Sequence, residues 1–180
     1  MRILVDLDGV TADFYGSLLD LYNEEFGDSL TREDLVSWEL SPEIFTKTTT
    51  KYLRGYFDRR NFWSGMKPIP GAVKSLKYLH SQGHDILVVT AVPLDSRECC
   101  YEKLIWVEKH LPFIGHNNFV ATLRKSAVSG DILFDDGPHN IEAFPALTCA
   151  MDAAYNRSAK ADFRVKSWES FIKVVEGIAR

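Results

Sequence analysis

Short, continuous apolar runs recur along this chain and close on polar residues, and they constrain its fold more than any other feature. They read ILV at 3–5, DILVVTA at 85–91, NNFVAT at 117–122 and DILFDD at 131–136, with LTCAMD at 147–152 as a fifth candidate. A strand wet on one face alternates apolar with polar; unbroken runs belong to strands covered on both faces. Helical periods lie between them. In 71–82, Val73, Leu76 and Leu79 share one face, and Gly83 can cap the end. In 95–111, Tyr101, Leu104, Ile105 and Glu108 follow the same period, and Trp168, Phe171, Ile172 and Val175 sit at i, i+3, i+4 and i+7. Strands alternating with helices imply an α/β chain built on a doubly wound parallel sheet.

One stretch breaks the alternation. Residues 15–67 carry helix signals only: Phe14, Leu18, Leu21, Tyr22 and Phe26 form a face that ends at Gly27. Thr31-Arg32-Glu33-Asp34 has the form of a capping box, and Ser41-Pro42 that of a helix start with proline at its first position. This stretch is too long for a structureless loop in a compact domain. The expected organisation is a core of 1–14 and 68–180, with a small helical cap of 15–67 inserted after strand one and lying over the strand ends.

Composition narrows the partners. At 180 residues the chain makes one domain, or a core with a small insertion, and its net charge of −4 argues against a binder of nucleic-acid backbones. A small anion in a local basic pocket remains allowed. No apolar run approaches the ~20 residues of a membrane helix, and no signal peptide is visible. Cys99, Cys100 and Cys149 lack metal-ligand spacing and read as packing thiols, so a reducing cytoplasm is the expected compartment. Whether the chain forms a homodimer is left open.

The polar residues that close the strands are the candidate site. Asp6 and Asp8 end the first run on the Gly9 turn. Two carboxylates sharing a pocket repel, so their pairing suggests a cation or proton chemistry, with a solvated acidic turn as the plainer explanation. Thr90 closes ILVVT, Lys125 follows the 117–122 run, and Asp135 and Asp136 close ILF. Singly, each is an ordinary strand, surface or loop residue. Together, at the carboxyl ends of parallel strands where ligands bind, they make a kit for phosphate.

DLDGVTADF, the T of ILVVTA, the K of LRKS and GDILFDD resemble the four motifs of the haloacid dehalogenase-like phosphatases. Within that superfamily the chain is similar to the 5′(3′)-deoxyribonucleotidases, also through NFW…KPIPGAV at 61–73, YEKLIWVEKHL at 101–111 and Ser167-Trp168. The resemblance implies a Rossmann-like core and a phosphatase that hydrolyses (deoxy)nucleoside monophosphates to nucleoside and phosphate through an aspartyl phosphate. Asp6 would be the nucleophile and Asp8 the general acid and base. A carboxylate attacking a phosphate dianion meets about 4 kcal/mol of repulsion per unit-charge pair at ~4 Å and an effective dielectric near 20. A cation is therefore needed, and oxygen-only ligands point to Mg²⁺. Its expected ligands are the Asp6 carboxylate, the Asp8 backbone carbonyl and the Asp136 carboxylate, with Asp135 behind them. Lys125 would neutralise the nucleophile and the transferring group, and Thr90 would hydrogen-bond a phosphate oxygen.

For the base, the resemblance implies a stacking role for Phe14. Trp38 would add a cap aromatic, and Phe57, Phe62 or Trp63 would complete the wall; Phe62 and Trp63 also read as cap core. Three departures stand out. The vertebrate enzymes have Ser where this chain has Ala91, a lysine where it reads Val92-Pro93-Leu94-Asp95, and Arg or Lys where it has Gly137. Each removes a donor or a charge near the leaving group and questions a strict pyrimidine deoxynucleotide preference. His139 reads as a loop residue. Rival readings are a related phosphatase for another small phosphate ester, a receiver-like phosphoacceptor module, and an inactive binding protein. The inserted cap and the late pair of acids disfavour the receiver, and the full set of catalytic groups disfavours the inactive protein.

Overall fold

The apolar runs pair into a single sheet. In the computed structural model, which describes residues 1–93, 96 and 98–179, six strands lie all parallel in the order β3-β2-β1-β4-β5-β6. They are β1 (Arg2–Val5), β2 (Asp85–Thr90), β3 (Phe119–Ala121), β4 (Ile132–Asp135), β5 (Leu147–Met151) and β6 (Phe163–Val165). β6 was not expected. It is three residues long with Arg164 at its centre, so it carries no apolar run.

Alternation divides the strand side chains between two cores. Ile3, Val5, Ile86, Val88, Ile132 and Phe134 join the larger one, and Leu4, Val89 and Leu133 join a smaller one closed by Phe144. The larger core takes Leu76 and Leu79 of α3 (Ala72–Ser81), Trp106 and Val107 of α4 (Cys99–His110), and Trp168, Phe171 and Val175 of α6 (Trp168–Ile178). Burying Phe171 and Val175 contributes roughly 1.5–3 kcal/mol each relative to exposure. Ser167 caps α6 by accepting from the Ser170 amide at 3.2 Å, and the Trp168 indole donates to the Val10 carbonyl at 2.8 Å. The last helix thereby anchors the loop after β1.

The face expected for the fourth helix is corrected. Tyr101 and Glu108 point outward, and the buried side is Cys99, Glu102, Lys103, Trp106 and Val107. Apolar periodicity misplaced it because two charged residues occupy the inner face. The expected helical start at Asp95 lies outside the described residues.

Segment 15–67 is less helical than expected. α1 (Phe14–Phe26) forms as anticipated, capped by the Asp13 carboxylate and ended by Gly27 at φ 58°. Thr31–Asp34 does close on itself, with the Asp34 carboxylate accepting from the Thr31 amide and hydroxyl, but it makes only a 3-10 turn. Ser41-Pro42 starts no helix: the Ile44 and Phe45 amides bond the Ser41 carbonyl and the turn stops there. α2 (Thr50–Arg54) is a single short helix. The segment joins the sheet through an antiparallel stem, Asp13 N–H to Lys67 O and Ile69 N–H to Thr11 O, each 2.8 Å.

Beyond β4 the chain enters α5 (Pro138–Ala143), so His139 is a helical residue rather than a loop residue. From β1 the chain moves outward to β2 and β3, then returns to place β4 on the other side of β1. The order reverses between β1 and β4, where an open parallel sheet offers its ligand crevice.

Candidate active site

At that reversal the carboxyl ends of the strands bring the acids together. Asp6 follows β1, its amide bonded to the Phe134 carbonyl at 2.9 Å. The next residues fold back tightly: Thr11 and Ala12 amides reach the Leu7 carbonyl, and the Thr11 hydroxyl donates to the Asp6 carbonyl at 2.6 Å. Gly9 sits at φ 74°, and a Cβ there would overlap the Asp136 carboxylate, so only glycine permits this approach.

Lys125 bridges two of the acids. Its ammonium lies 2.7 Å from Asp6 Oδ1 and 2.7 Å from Asp135 Oδ2, and all three side chains are buried. Asp6 Oδ1 also accepts the Leu7 amide at 2.7 Å. The other oxygen of Asp135 takes the Gly137 amide at 2.7 Å and the Asn140 amide group at 3.3 Å. Asp136 Oδ2 accepts from the Tyr155 hydroxyl, and its carbonyl accepts from Asn156 at 2.8 Å.

A second buried lysine faces the first across the site. Lys103 of α4 donates to Asp8 Oδ2 at 2.5 Å, Thr90 Oγ1 at 3.1 Å and the Ala91 carbonyl at 2.6 Å. Its ammonium also lies 4.5 Å from the Trp63 ring centroid, a cation–π contact. Its neighbour Glu102 points to the adjacent segment and accepts the amides of Asn61 (2.6 Å), Trp63 (3.0 Å) and Ser64 (3.3 Å). Asn61 holds a left-handed backbone at φ 64° within that clamp.

The electrostatics favour a cation. Four carboxylates face two ammonium groups, and buried Oδ1 atoms of Asp8 and Asp136 accept no hydrogen bond among the described residues. An unpaired buried polar atom costs about 1–3 kcal/mol, more when charged. Asp6, Asp135 and Asp136 each offer an oxygen within 4.8 Å of the others. Both oxygens of Asp135 already accept hydrogen bonds or the Lys125 ammonium, whereas Asp136 Oδ1 is buried without a partner and is free to meet a cation. The donor set fits a hard, oxygen-liganded divalent ion. Without one, burial pushes the Asp6 carboxyl up to about 7 against the pull of Lys125, with Asp135 and Asp8 adding to the rise. Burial also lifts Asp136 well above the carboxylate range, with Asp6 and Asp135 adding to the effect. Burial alone would lower Lys125, but Asp135 and Asp6 outweigh it and raise the ammonium.

Above the acids a cleft of about 960 Å³ is lined by Asp8, Phe14, Trp38, Phe57, Trp63 and Ala91. Phe14 and Trp63 stack at 5.5 Å, and Phe57 lies 5.6 Å from Phe14. Trp63 is almost wholly buried, so it serves both as core and as wall. Trp38 stands edge-on to His139 at 5.3 Å and to Tyr155 at 5.4 Å. Glu39, Glu43 and Arg54 also line the cleft. Of the departures noted in the sequence, Ala91 lines the cleft and its carbonyl binds Lys103, while Gly137 uses its amide on Asp135. Leu94 and Asp95 lie outside the described residues.

Three groups at the site escaped sequence reasoning. Glu102 and Lys103 become visible once Cys99, Trp106 and Val107 set the phase of α4, because both then fall on a face that must be buried. Tyr155 had only one signal, its place just past the carboxyl end of β5.

The sequence model of the 5′ nucleotidase, deoxy (pyrimidine), cytosolic type C proteins matches residues 1–179. A 5′(3′)-deoxyribonucleotidase of Bacillus subtilis (strain 168) is 29% identical over 167 residues, covering 93% of this chain and 94% of that one. The mitochondrial 5′(3′)-deoxyribonucleotidase of Homo sapiens is 33% identical over 150 residues, covering 81% of this chain and 66% of its own. Among solved structures, a predicted phosphatase from Clostridium acetobutylicum superposes with a TM-score of 0.65 at 16% identity, covering 98% of both chains. A haloacid dehalogenase family hydrolase from Deinococcus radiodurans R1 gives 0.64 at 15% identity, covering 99% of this chain and 96% of that one.

Proposed function

The chain belongs to the family of 5′ nucleotidase, deoxy (pyrimidine), cytosolic type C proteins, and from that membership we propose that the cleft hydrolyses deoxyribonucleoside monophosphates with Asp6 as nucleophile. That it is a nucleotide phosphatase, a phosphoric monoester hydrolase, follows from its family and its curated relatives. The observation that carries the finer reading is the convergence of Asp6, Asp8, Lys125 and Asp136 beneath the aromatic wall of Phe14, Phe57 and Trp63.

Asp6 attacks phosphorus while the bond to the nucleoside oxygen breaks, and Asp8 gives that oxygen a proton. Asp8 then takes a proton from the water that attacks the aspartyl phosphate, and Asp6 leaves as carboxylate with inorganic phosphate released. One residue thus serves as acid and then as base. Lys125 holds the nucleophile and faces the incoming negative charge. Thr90 and Lys103 meet the phosphate from the β2 side. Both ammonium groups are fixed before the substrate arrives, so no reorganisation is needed during transfer.

Asp6, the Asp8 carbonyl and Asp136 would hold Mg²⁺, with Asp135 outside them. When bound, the ion neutralises charge on the phosphate and keeps the carboxylates ionised. Phe14 stacks on the base, Phe57 and Trp63 back it, and Trp38 guards the outer end. Segment 15–67 acts as the lid that carries most of this wall. All three cysteines are free, and no described helix is long and apolar enough to cross a membrane, features that suit the cytoplasm.

Phosphate release from dUMP, dTMP, ribonucleotides and sugar phosphates, with Mg²⁺ or EDTA, tests the reading. Metal-dependent turnover of a deoxynucleotide supports it. Turnover confined to esters without a base overturns the substrate assignment.

A further inference from the structure

Building on the assignment of Asp136 as a metal ligand, we propose that Tyr155 is the residue that positions this carboxylate, braced in turn by Trp38 of the segment over the site. The Tyr155 hydroxyl donates to Asp136 Oδ2, while Oδ1 of the same group is buried and unpartnered. One oxygen is therefore fixed and the other presented. Asn156 completes the hold: its side-chain amide donates to the Asp136 and Met151 carbonyls, each at 2.8 Å. Asp136 Oδ2 also packs against Gly9, where any Cβ would overlap the carboxylate, so the tight turn after β1 is shaped to admit the group in this position.

Tyr155 is itself held by rings. Tyr15 lies 5.1 Å from it, and Trp38 lies 5.4 Å from it while also touching His139 at 5.3 Å. Trp38 comes from the turns after α1, and Arg157 and Glu33 pair at 3.1 Å between the same two stretches of chain. A ligating carboxylate depends on such outer partners for its orientation, and their loss typically weakens metal affinity about 10–100-fold. The Trp38 ring thus has a task besides facing the cleft: it sets how firmly Tyr155 holds the carboxylate.

Mg²⁺ binding to the whole chain, measured by calorimetry without nucleotide, separates the cases. Tyr155→Phe is expected to raise the Mg²⁺ dissociation constant about 10–100-fold and Trp38→Ala by a smaller factor. Turnover of Tyr155→Phe should recover when Mg²⁺ is raised to saturation, a rescue that a purely structural defect would not allow. A folded Tyr155→Phe that binds Mg²⁺ as the natural protein does overturns the proposal. Should that variant fail to fold, an unchanged Mg²⁺ affinity in Trp38→Ala overturns it instead. A natural protein that binds no Mg²⁺ would instead overturn the metal assignment beneath it.

Discussion

The ammonium of Lys103 stands 2.5 Å from Oδ2 of Asp8 and 3.1 Å from Oγ1 of Thr90, joining groups at the ends of β1 and β2 through a helix that belongs to neither. The side chain is fully buried, so its charge is screened little by solvent. Lys103→Met is expected to lower kcat by about 10²–10³-fold, the usual loss when one preorganised group is removed from the transition state. Lys103→Arg should not restore it, because a planar fork does not replace a compact ammonium in a closed slot. Near-natural kcat in a folded Lys103→Met would remove Lys103 from the mechanism.

A pH dependence follows from Asp6. Its folded pKa, about 7, lies above the ordinary 3.8. The protonated form is thus favoured in the folded protein, and the stability it brings is full below pH ~4 and lost as pH rises through ~7. In EDTA, the stability of the natural protein minus that of Asp6→Asn should therefore fall from pH 4 to pH 8. Mg²⁺ should shrink that fall, because ligation favours the carboxylate. Melting curves of both proteins across that range check it, and a flat difference in EDTA would contradict it.

Glu102 acts at a distance from the reaction by holding three amides of residues 61–64. Glu102→Ala leaves those donors without their acceptor, at a cost of about 1–3 kcal/mol. For a chain of this size each kcal/mol lowers Tm by about 2–4 °C. Because Trp63 sits in the clamp, KM for the nucleotide should rise, while inhibition by inorganic phosphate, which needs no base wall, stays near its natural value. Equal losses of both would place the effect at the phosphate instead.

Gly9 and Gly27 offer a controlled comparison. Both have positive φ, but a Cβ at Gly27 meets open space whereas one at Gly9 overlaps Asp136. Gly27→Ala is expected to cost roughly 1–2 kcal/mol of stability from the backbone alone and to keep full activity. Gly9→Ala should lose activity by about two orders of magnitude, since a misplacement of about 1 Å at a reacting centre suffices for that. Thermal melts and initial rates on the pair decide the matter.

Much of this was legible because the strands are short and doubly covered. ILV, DILVVT and ILFD each announce both a strand and the acid or hydroxyl at its end, so β1, β2 and β4 and the positions of Asp6, Thr90 and Asp135 came together. Where burial is satisfied by charge, the same logic fails. Glu102 and Lys103 read as surface, so α4 was turned the wrong way. β6 is set by its pairing with β5 and by Arg164, which donates to the Asn156 and Ala159 carbonyls, and neither leaves an apolar run in the sequence. The turns of 31–48 meet Tyr155 through Trp38 and Arg157 through Glu33, contacts that helix propensity does not report, and proline after serine marks a turn there.

Covalent phosphorylation of Asp6 is the step on which the proposed mechanism turns. The most direct measurement is rapid acid quenching of the enzyme with ³²P-labelled dUMP and Mg²⁺, followed by counting label on the protein. Label is expected within the first turnover, released by hydroxylamine as an acyl phosphate is, and absent from Asp6→Asn. Steady phosphate release with no labelled protein at any quench time, or label that persists in Asp6→Asn, would contradict it.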